Sequence, residues 1–362
     1  MASLILYFSV FGISSFSASY FKDKIKPKLL YYIAVISLPV AIAGLRYGIG
    51  TDYFSYFEYY KEILGGQVKT SMEPLFRLLN LICARVGGGY VSVLLISSLI
   101  THLFVLSGLA RVLKGRYLSL GIFIFYCFYY SASLNTVRQL IALSIVFYGA
   151  VMLFEGRYGA FVFLVSVASL FHVSALVSLL LLPLKIGSLR EDLTRIFTVI
   201  IATLTGVFGI FGRKLFEILP YFIRSRYEKY LRPDGGGIVT LEYLFDILPI
   251  FLIIAVPIFI YILLGRKNGK YDFFCLAGLS CLPVLILGYN FAYFQRLVYY
   301  FDISQLICAP IACYGVKVKG VRNFLFVSCI ILYFLYFLYS SYYHGSNEIF
   351  PYRWILRRAY EN

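Results

Sequence analysis

Residues 117–131, YLSLGIFIFYCFYYS, and 138–154, RQLIALSIVFYGAVMLF, are two apolar runs joined by a short polar link containing Asn135 and Thr136. A run of ~17 residues rises ~25 Å as an α-helix, close to the ~30 Å hydrocarbon core of a bilayer. Neither run alternates with period 2, so a membrane barrel strand does not fit. The same reading extends outward in both directions. Further apolar runs lie at 3–20, 29–45, 91–110, 159–186, 196–212, 241–264, 272–289, 296–314 and 323–342. The chain of 362 residues is 61% hydrophobic and 14% charged, with a net charge of +16. That balance excludes an ordinary soluble domain and a disordered chain. It predicts an all-α, polytopic membrane bundle of about 12 spans, within a range of 11–13. Residues 1–342 read as one transmembrane domain with outer loops at 46–90 and 213–240, and 343–362 as an interfacial tail.

The basic residues set the orientation. No Lys or Arg precedes the first run, and Lys22, Lys24, Lys26 and Lys28 follow it, the reverse of a signal peptide. Short loops carrying Arg111, Lys114 and Arg116, then Lys185, Arg190 and Arg195, then Arg266, Lys267 and Lys270, then Lys317, Lys319 and Arg322 continue the inside set. This parity requires residues 159–186 to enter and return as two short helices, or as a tight hairpin with His172 at its turn. On this assignment the inside holds ten Lys and seven Arg, the outside twelve Arg and four Lys. Arg forks onto phosphate oxygens bidentately, so an Arg-biased outer face points to a pyrophosphate or other polyanion there. The competing explanation is snorkelling and pairing with outer carboxylates. Segment 74–86 reads as an amphipathic or re-entrant helix on that face, with Glu73, Arg77, Asn80 and Arg85 to one side.

Several familiar chemistries are missing from the sequence. There is no P-loop, no H-E-x-x-H, no D-x-D pair and no Cys/His cluster at metal spacing. No metal, cofactor or nucleic acid is expected, and no disulfide among the seven Cys. Four stretches carry candidate groups instead. Gly44–Tyr56 holds Arg46 and Asp52 beside Tyr53 and Tyr56, with glycines that permit close backbone approach. Asn135-Thr136-Val137-Arg138-Gln139 puts Arg138 at the start of a span, where the helix dipole disfavours a cation and an anionic partner would be welcome. His172 interrupts a 28-residue apolar run and is either a base, a substrate contact or a turn residue satisfied locally. Arg296, with Tyr300 one turn on and Asp302 beyond, opens a late span. Arg46, Asp52, Arg138, His172 and Arg296 all fall on or toward the same outer side.

These motifs in this order, R-Y-G-I-G-T-D-Y-x-x-Y at 46–56, Glu73-Pro74, N-x-x-R-Q at 135–139, F-H-x-S-A at 171–175 and R-x-x-x-Y at 296–300, resemble the EpsG family. That family groups with Wzy-type polymerases of oligosaccharide repeat units. The resemblance implies a helical glycosyltransferase fold of the GT-C-like kind in the bacterial inner membrane, with its site facing outward. It implies transfer of a growing glycan from undecaprenyl pyrophosphate to a sugar hydroxyl of an incoming lipid-linked repeat unit, in O-antigen, capsule or exopolysaccharide synthesis. Membrane lipid and a chain-length regulator are the further partners. Arg138 and Arg296 would neutralise the leaving pyrophosphate, with Arg46 third, and Asp52 or His172 would serve as base. Tyr53, Tyr56, Tyr300 and Gln139 would contact the substrate. A flippase of lipid-linked oligosaccharides, an O-antigen ligase and a membrane acyltransferase are the alternatives. A flippase should show two similar halves, which this sequence does not.

Overall fold

The computed structural model describes residues 1–66, 72–218, 240–265, 271–289 and 294–355. Their regular structure is helical, and no strand occurs among them beyond a single bridge between Arg46 and Trp354. Five helices are long and apolar enough to cross a membrane: 2–20, 89–112, 116–135, 137–154 and 319–343. Shorter apolar helices cover 28–44, 158–169, 173–187, 247–263 and 272–287. The described residues form two compact units, 1–176 with 320–362, and 177–319.

The first unit is built on α1 (Ala2–Tyr20), α2 (Lys28–Gly44), α3 (Tyr53–Leu64), α4 (Pro74–Arg85), α5 (Gly89–Val112), α6 (Arg116–Asn135), α7 (Val137–Phe154), α8 (Tyr158–Ser169) and the late helix Lys319–Phe337. The two runs quoted first, α6 and α7, are its centre. Tyr126, Tyr129, Tyr130, Ile141, Leu143 and Val146 are at most 1% exposed. α1 packs on α6, and α5 packs on α7 and α2. Phe11 stacks on Tyr126 at 5.3 Å and meets Phe337 edge-on at 5.1 Å, which binds the first and last helices to the centre. Ile5, Phe8, Ile13 and Phe16 of α1, and Phe324, Val327, Ile331 and Leu335 of the late helix, are exposed. Apolar surface of this extent suits hydrocarbon rather than water.

The two ends of this unit differ in chemistry. At one end the predicted inside loops lie together. Lys22 Nζ donates to the carbonyls of Ala110 (2.7 Å) and Leu113 (3.0 Å), Arg111 pairs with Glu155 at 2.7 Å, and Arg116 donates to Asn323. At the other end lies the segment after α2. Arg46 is 2% exposed, and its guanidinium donates to the carbonyls of Ala43, Ile49 (3.3 Å) and Leu134 (2.9 Å). Gly50, at φ +93, brings its backbone against the end of α6. A Cβ there would lie 2.7 Å from the Leu134 oxygen. Where the sequence suggests an interfacial tail, residues 345–355 turn back onto this segment. Tyr47 N–H donates to Arg353 O and Ile355 N–H to Leu45 O, both at 2.9 Å. Ile349 is fully buried, and Tyr352 Oη donates to Ile42 O at 2.7 Å. The reason is satisfaction of backbone groups: an irregular segment at a span end needs partners, and the tail supplies them.

The stretch 159–186 is interrupted at His172. α8 stops at Ser169, His172 stands in the gap, and a 3-10 helix resumes at Val173–Leu180, followed by a short α-helix, Leu181–Gly187. Segment 74–86 is α4, an amphipathic helix. In the second unit the helix Glu191–Glu217 runs into the predicted outer loop 213–240, whose remainder lies almost wholly outside the described residues. The helix Leu241–Ile260 carries Pro249 and Pro257, and packs with Gln305–Gly315 around a core that includes Leu306 and Ile307.

Gly50→Ala is expected to cost about 1–3 kcal/mol through left-handed strain and the Leu134 contact. Gly12→Ala in α1, where open space surrounds the new Cβ, should leave the thermal midpoint in detergent unchanged or raised. Equal midpoints for the two variants would contradict this account of Gly50.

Candidate active site

The site forms at the end of the first unit that carries Arg46. α7 starts immediately after α6, so Arg138 stands in its first turn. The four N–H groups of that turn make a positive end, and a cation placed there needs an anion. Glu73 supplies it. The residue is extended (φ −60, ψ 144), with Pro74 at the first position of α4 fixing the entry of the helix. One carboxylate oxygen of Glu73 accepts from Arg138 Nη1. The other accepts from His172 Nδ1 at 2.8 Å. α8 ends just before His172, whose N–H still bonds to Ala168 O at 2.9 Å, and Leu75 N–H donates to Leu170 O at 3.0 Å. That last bond ties the start of α4 to the turn holding the imidazole.

The three side chains are mostly enclosed, with exposures of 16% for Glu73, 23% for Arg138 and 26% for His172. Burial by itself would raise the Glu73 carboxyl. The His172 hydrogen bond and the Arg138 charge outweigh it and hold the group at about 2 rather than 4.5. The carboxylate is thus ionised at neutral pH and fixes both partners. With Nδ1–H donating to Glu73, the imidazole presents Nε2 as its proton acceptor, and Nε2 has no hydrogen-bond partner among the described residues. The Arg138 guanidinium also lies 5.8 Å over the ring of Tyr56, which is 7% exposed.

Asp52 is joined to the same end through its backbone. Its N–H donates to Asn135 Oδ1 at 2.9 Å, and Thr51 Oγ1 donates to the same oxygen at 2.7 Å. Asn135 Nδ2 donates to Asn347 of the returning tail at 3.0 Å. The Asp52 carboxylate is half-buried and bears electrostatically on Tyr56. It does not pair with Arg46, whose guanidinium is spent on carbonyls. Tyr53 is 3% exposed, packed edge-on to Tyr90 at 5.4 Å, with its carbonyl accepting from Tyr90 Oη. Gln139 is buried in α7. In the second unit Arg296 is exposed in a short 3-10 turn, Phe294–Leu297, and Tyr300 and Asp302 are buried at 1%.

The structure therefore brings Arg138, His172 and Tyr56 together, with Asp52 attached through Asn135. It encloses Arg46 as a clamp on backbone carbonyls. Glu73 is the group that sequence reasoning does not nominate. Its signal is the Glu-Pro pair opening an amphipathic helix, but its partners are 65 and 99 residues away. Among the described residues no three His, Cys, Asp or Glu side chains gather to hold a metal ion.

A family model described as the EpsG family matches residues 28–354, a span that includes every residue of this site. No curated protein and no solved structure matches the chain.

Because the Glu73 carboxyl sits lower in the folded chain than in the unfolded one, its contribution to stability is complete above pH ~4.5 and is lost as pH falls toward 2. Glu73→Gln is expected to lower stability by about 1.5–3 kcal/mol at neutral pH, since it strips a charge-assisted acceptor from two donors. The gap in thermal midpoint between wild type and variant should stay flat from pH 8 to 5 and shrink below. A gap that widens on acidification would contradict the pairing.

Proposed function

The chain belongs to the EpsG family, a Wzy-like polymerase family, and from that premise we propose that it extends a surface polysaccharide by joining lipid-linked repeat units. The donor in this reading is a glycan on undecaprenyl pyrophosphate, and the acceptor is a sugar hydroxyl of an incoming repeat unit on the same kind of lipid. The protein lies in the bacterial inner membrane with about 12 spans and a GT-C-like arrangement. The Lys-rich loop end faces the cytoplasm by the positive-inside rule, and the Glu73 end faces outward. A chain-length regulator is the protein partner implied.

The observation that carries the proposal is the Glu73 carboxylate shared by Arg138 and His172 at the end opposite the basic loops. It combines the two capabilities that the reaction needs. His172 Nε2 takes the proton from the acceptor hydroxyl as its oxygen bonds to the anomeric carbon. The imidazolium that forms is balanced by Glu73. The bond from the anomeric carbon to the phosphate oxygen breaks, and the pyrophosphate leaves with the electron pair. Arg138 neutralises the charge that develops there. Asp52 remains the second candidate for base, and Tyr53, Tyr56 and Gln139 for sugar contact. Arg46 shapes the segment that presents Asp52.

Deleting the gene should leave one repeat unit on its acceptor, with no ladder on a gel of surface polysaccharide. Complementation with His172→Ala or Arg138→Ala should lower polymerisation by about 10²–10⁴-fold, the usual worth of a general base or of a charge-stabilising donor. Arg138→Lys, which keeps the charge but not the fork, should restore part of the ladder. A normal ladder from well-expressed Arg138→Ala would contradict the assignment. Complete loss of surface sugar on deletion would favour a flippase or a ligase.

A further inference from the structure

At the end of the first unit that holds the basic loops, segments 21–28, 111–116, 155–157 and 320–323 carry nine Lys and Arg against two acids, Asp23 and Glu155. Glu155 is taken by Arg111 at 2.7 Å, with Arg157 at 3.8 Å, and Asp23 acts on its neighbour Lys22. Three other cations have no ion pair among the described residues: Lys24 after α1, Arg116 opening α6 and Arg322 in the first turn of the late helix. Neither of those first turns holds an acid. The three helix ends are joined, because Ser119 Oγ donates to Ser19 Oγ at 2.6 Å and Arg116 Nη1 to Asn323 Oδ1 at 2.9 Å.

Arg116 is held in place. Its guanidinium lies 4.9 Å over the ring of Phe326 and 5.2 Å over that of Tyr117, and Nη2 donates to Tyr117 Oη at 3.3 Å. A basic residue that only marks topology keeps its side chain free among headgroups. This one is fixed on two rings with N–H groups to spare, the state in which an Arg fork binds phosphate at least entropic cost. Arg322, next to Asn323, keeps Nε buried without a hydrogen-bond partner. From the same end two exposed apolar stripes run along the helices: Ile13, Phe16 and Tyr20 on α1, and Phe324, Val327 and Ile331 on the late helix. Each set is spaced by three and four and shares one face. Phe8 meets Phe334 at 4.9 Å, so the two helices are neighbours. A soluble anion would answer the cations and leave the stripes bare. A zwitterionic lipid would bring its own cation to the Arg. An anionic phospholipid answers both.

We infer that this end carries a selective site for an anionic glycerophospholipid of the leaflet that the basic loops face. Arg116 and Arg322 hold its phosphate, and its acyl chains lie along α1 and the late helix. Lys24, whose Nζ stands 3.5 Å over the ring of Tyr20, adds charge on the α1 side. The site lies away from the Glu73–Arg138 pair and owes nothing to the polymerase reading.

The test uses the full-length protein in detergent, with phosphatidylglycerol and phosphatidylethanolamine of the same acyl chains added in turn and bound lipid counted by native mass spectrometry. Wild type is expected to bind phosphatidylglycerol about tenfold or more tightly than phosphatidylethanolamine. Arg116→Gln and Arg322→Gln should each reduce that preference about tenfold, the worth of one charge-assisted hydrogen bond. Arg116→Lys keeps the charge but not the fork and should lose nearly as much. Lys28→Gln removes a charge from the same end outside the site and should keep the wild-type preference. The altered side chains are exposed or half-buried, so thermal midpoints without lipid should stay close to that of wild type. Loss in Lys28→Gln equal to that in Arg116→Gln, or full preference in Arg116→Lys, would show a diffuse positive field and overturn the proposal. Equal binding of the two lipids by wild type also overturns it. Displacement of bound phosphatidylglycerol by millimolar inorganic phosphate would make a soluble anion the occupant and overturn the assignment to lipid.

Discussion

A single carboxylate, Glu73, holds the start of α7 and the turn after α8 to the same point. Each of its oxygens accepts one charged or polar donor, Arg138 on one side and His172 on the other. Bonds of this kind contribute about 1.5–3 kcal/mol each when a charged group takes part. More important for function is what they exclude. Without Glu73, Arg138 would be a half-buried cation at the positive end of α7, and it would snorkel or seek another anion. Without Glu73, His172 would be free to choose its tautomer and its direction. The carboxylate holds an imidazole and a guanidinium in fixed relation.

The surrounding structure serves to keep that point in register. Arg46 bonds to three carbonyls and has no carboxylate partner among the described residues, which makes it a clamp on the backbone. It holds the segment after α2 against the end of α6, where Gly50 alone allows the approach. Asn135, the last residue of α6, then receives Thr51 and Asp52 on its oxygen and donates to the returning tail through Asn347. α7 begins two residues later with Arg138 close behind. The segment carrying Asp52, the tail and the cationic helix start are thus one hydrogen-bonded assembly at one end of the first unit.

Much of this is legible in the sequence. Continuous apolar runs with helical length leave little choice of secondary structure in a bilayer, because only a helix satisfies its own backbone. The interruption at His172 is legible too, since 28 apolar residues are too many for one comfortable span. α4 followed from its one-sided polarity. The pairings were not legible. Glu73 meets residues 65 and 99 positions away, and nothing local marks a carboxylate as shared. Arg46 looked like a ligand group because an Arg beside glycines reads the same whether it faces a substrate or a row of carbonyls. The tail looked interfacial because Trp354 and its Arg neighbours suit a headgroup layer, whereas its fate depended on unpaired backbone at the far end of α2. Long-range satisfaction of polar groups decides each of these, and a single sequence carries no record of it.

The most direct measurement is a cryo-EM reconstruction in nanodiscs with an undecaprenyl-diphosphate-linked repeat unit bound. The account predicts the diphosphate against Arg138, with a sugar hydroxyl of the acceptor within hydrogen-bond reach of His172 Nε2 and Glu73 still bridging the two. Diphosphate density at the Lys22–Arg111 end, or at a place that leaves Arg138 and His172 untouched, would contradict it.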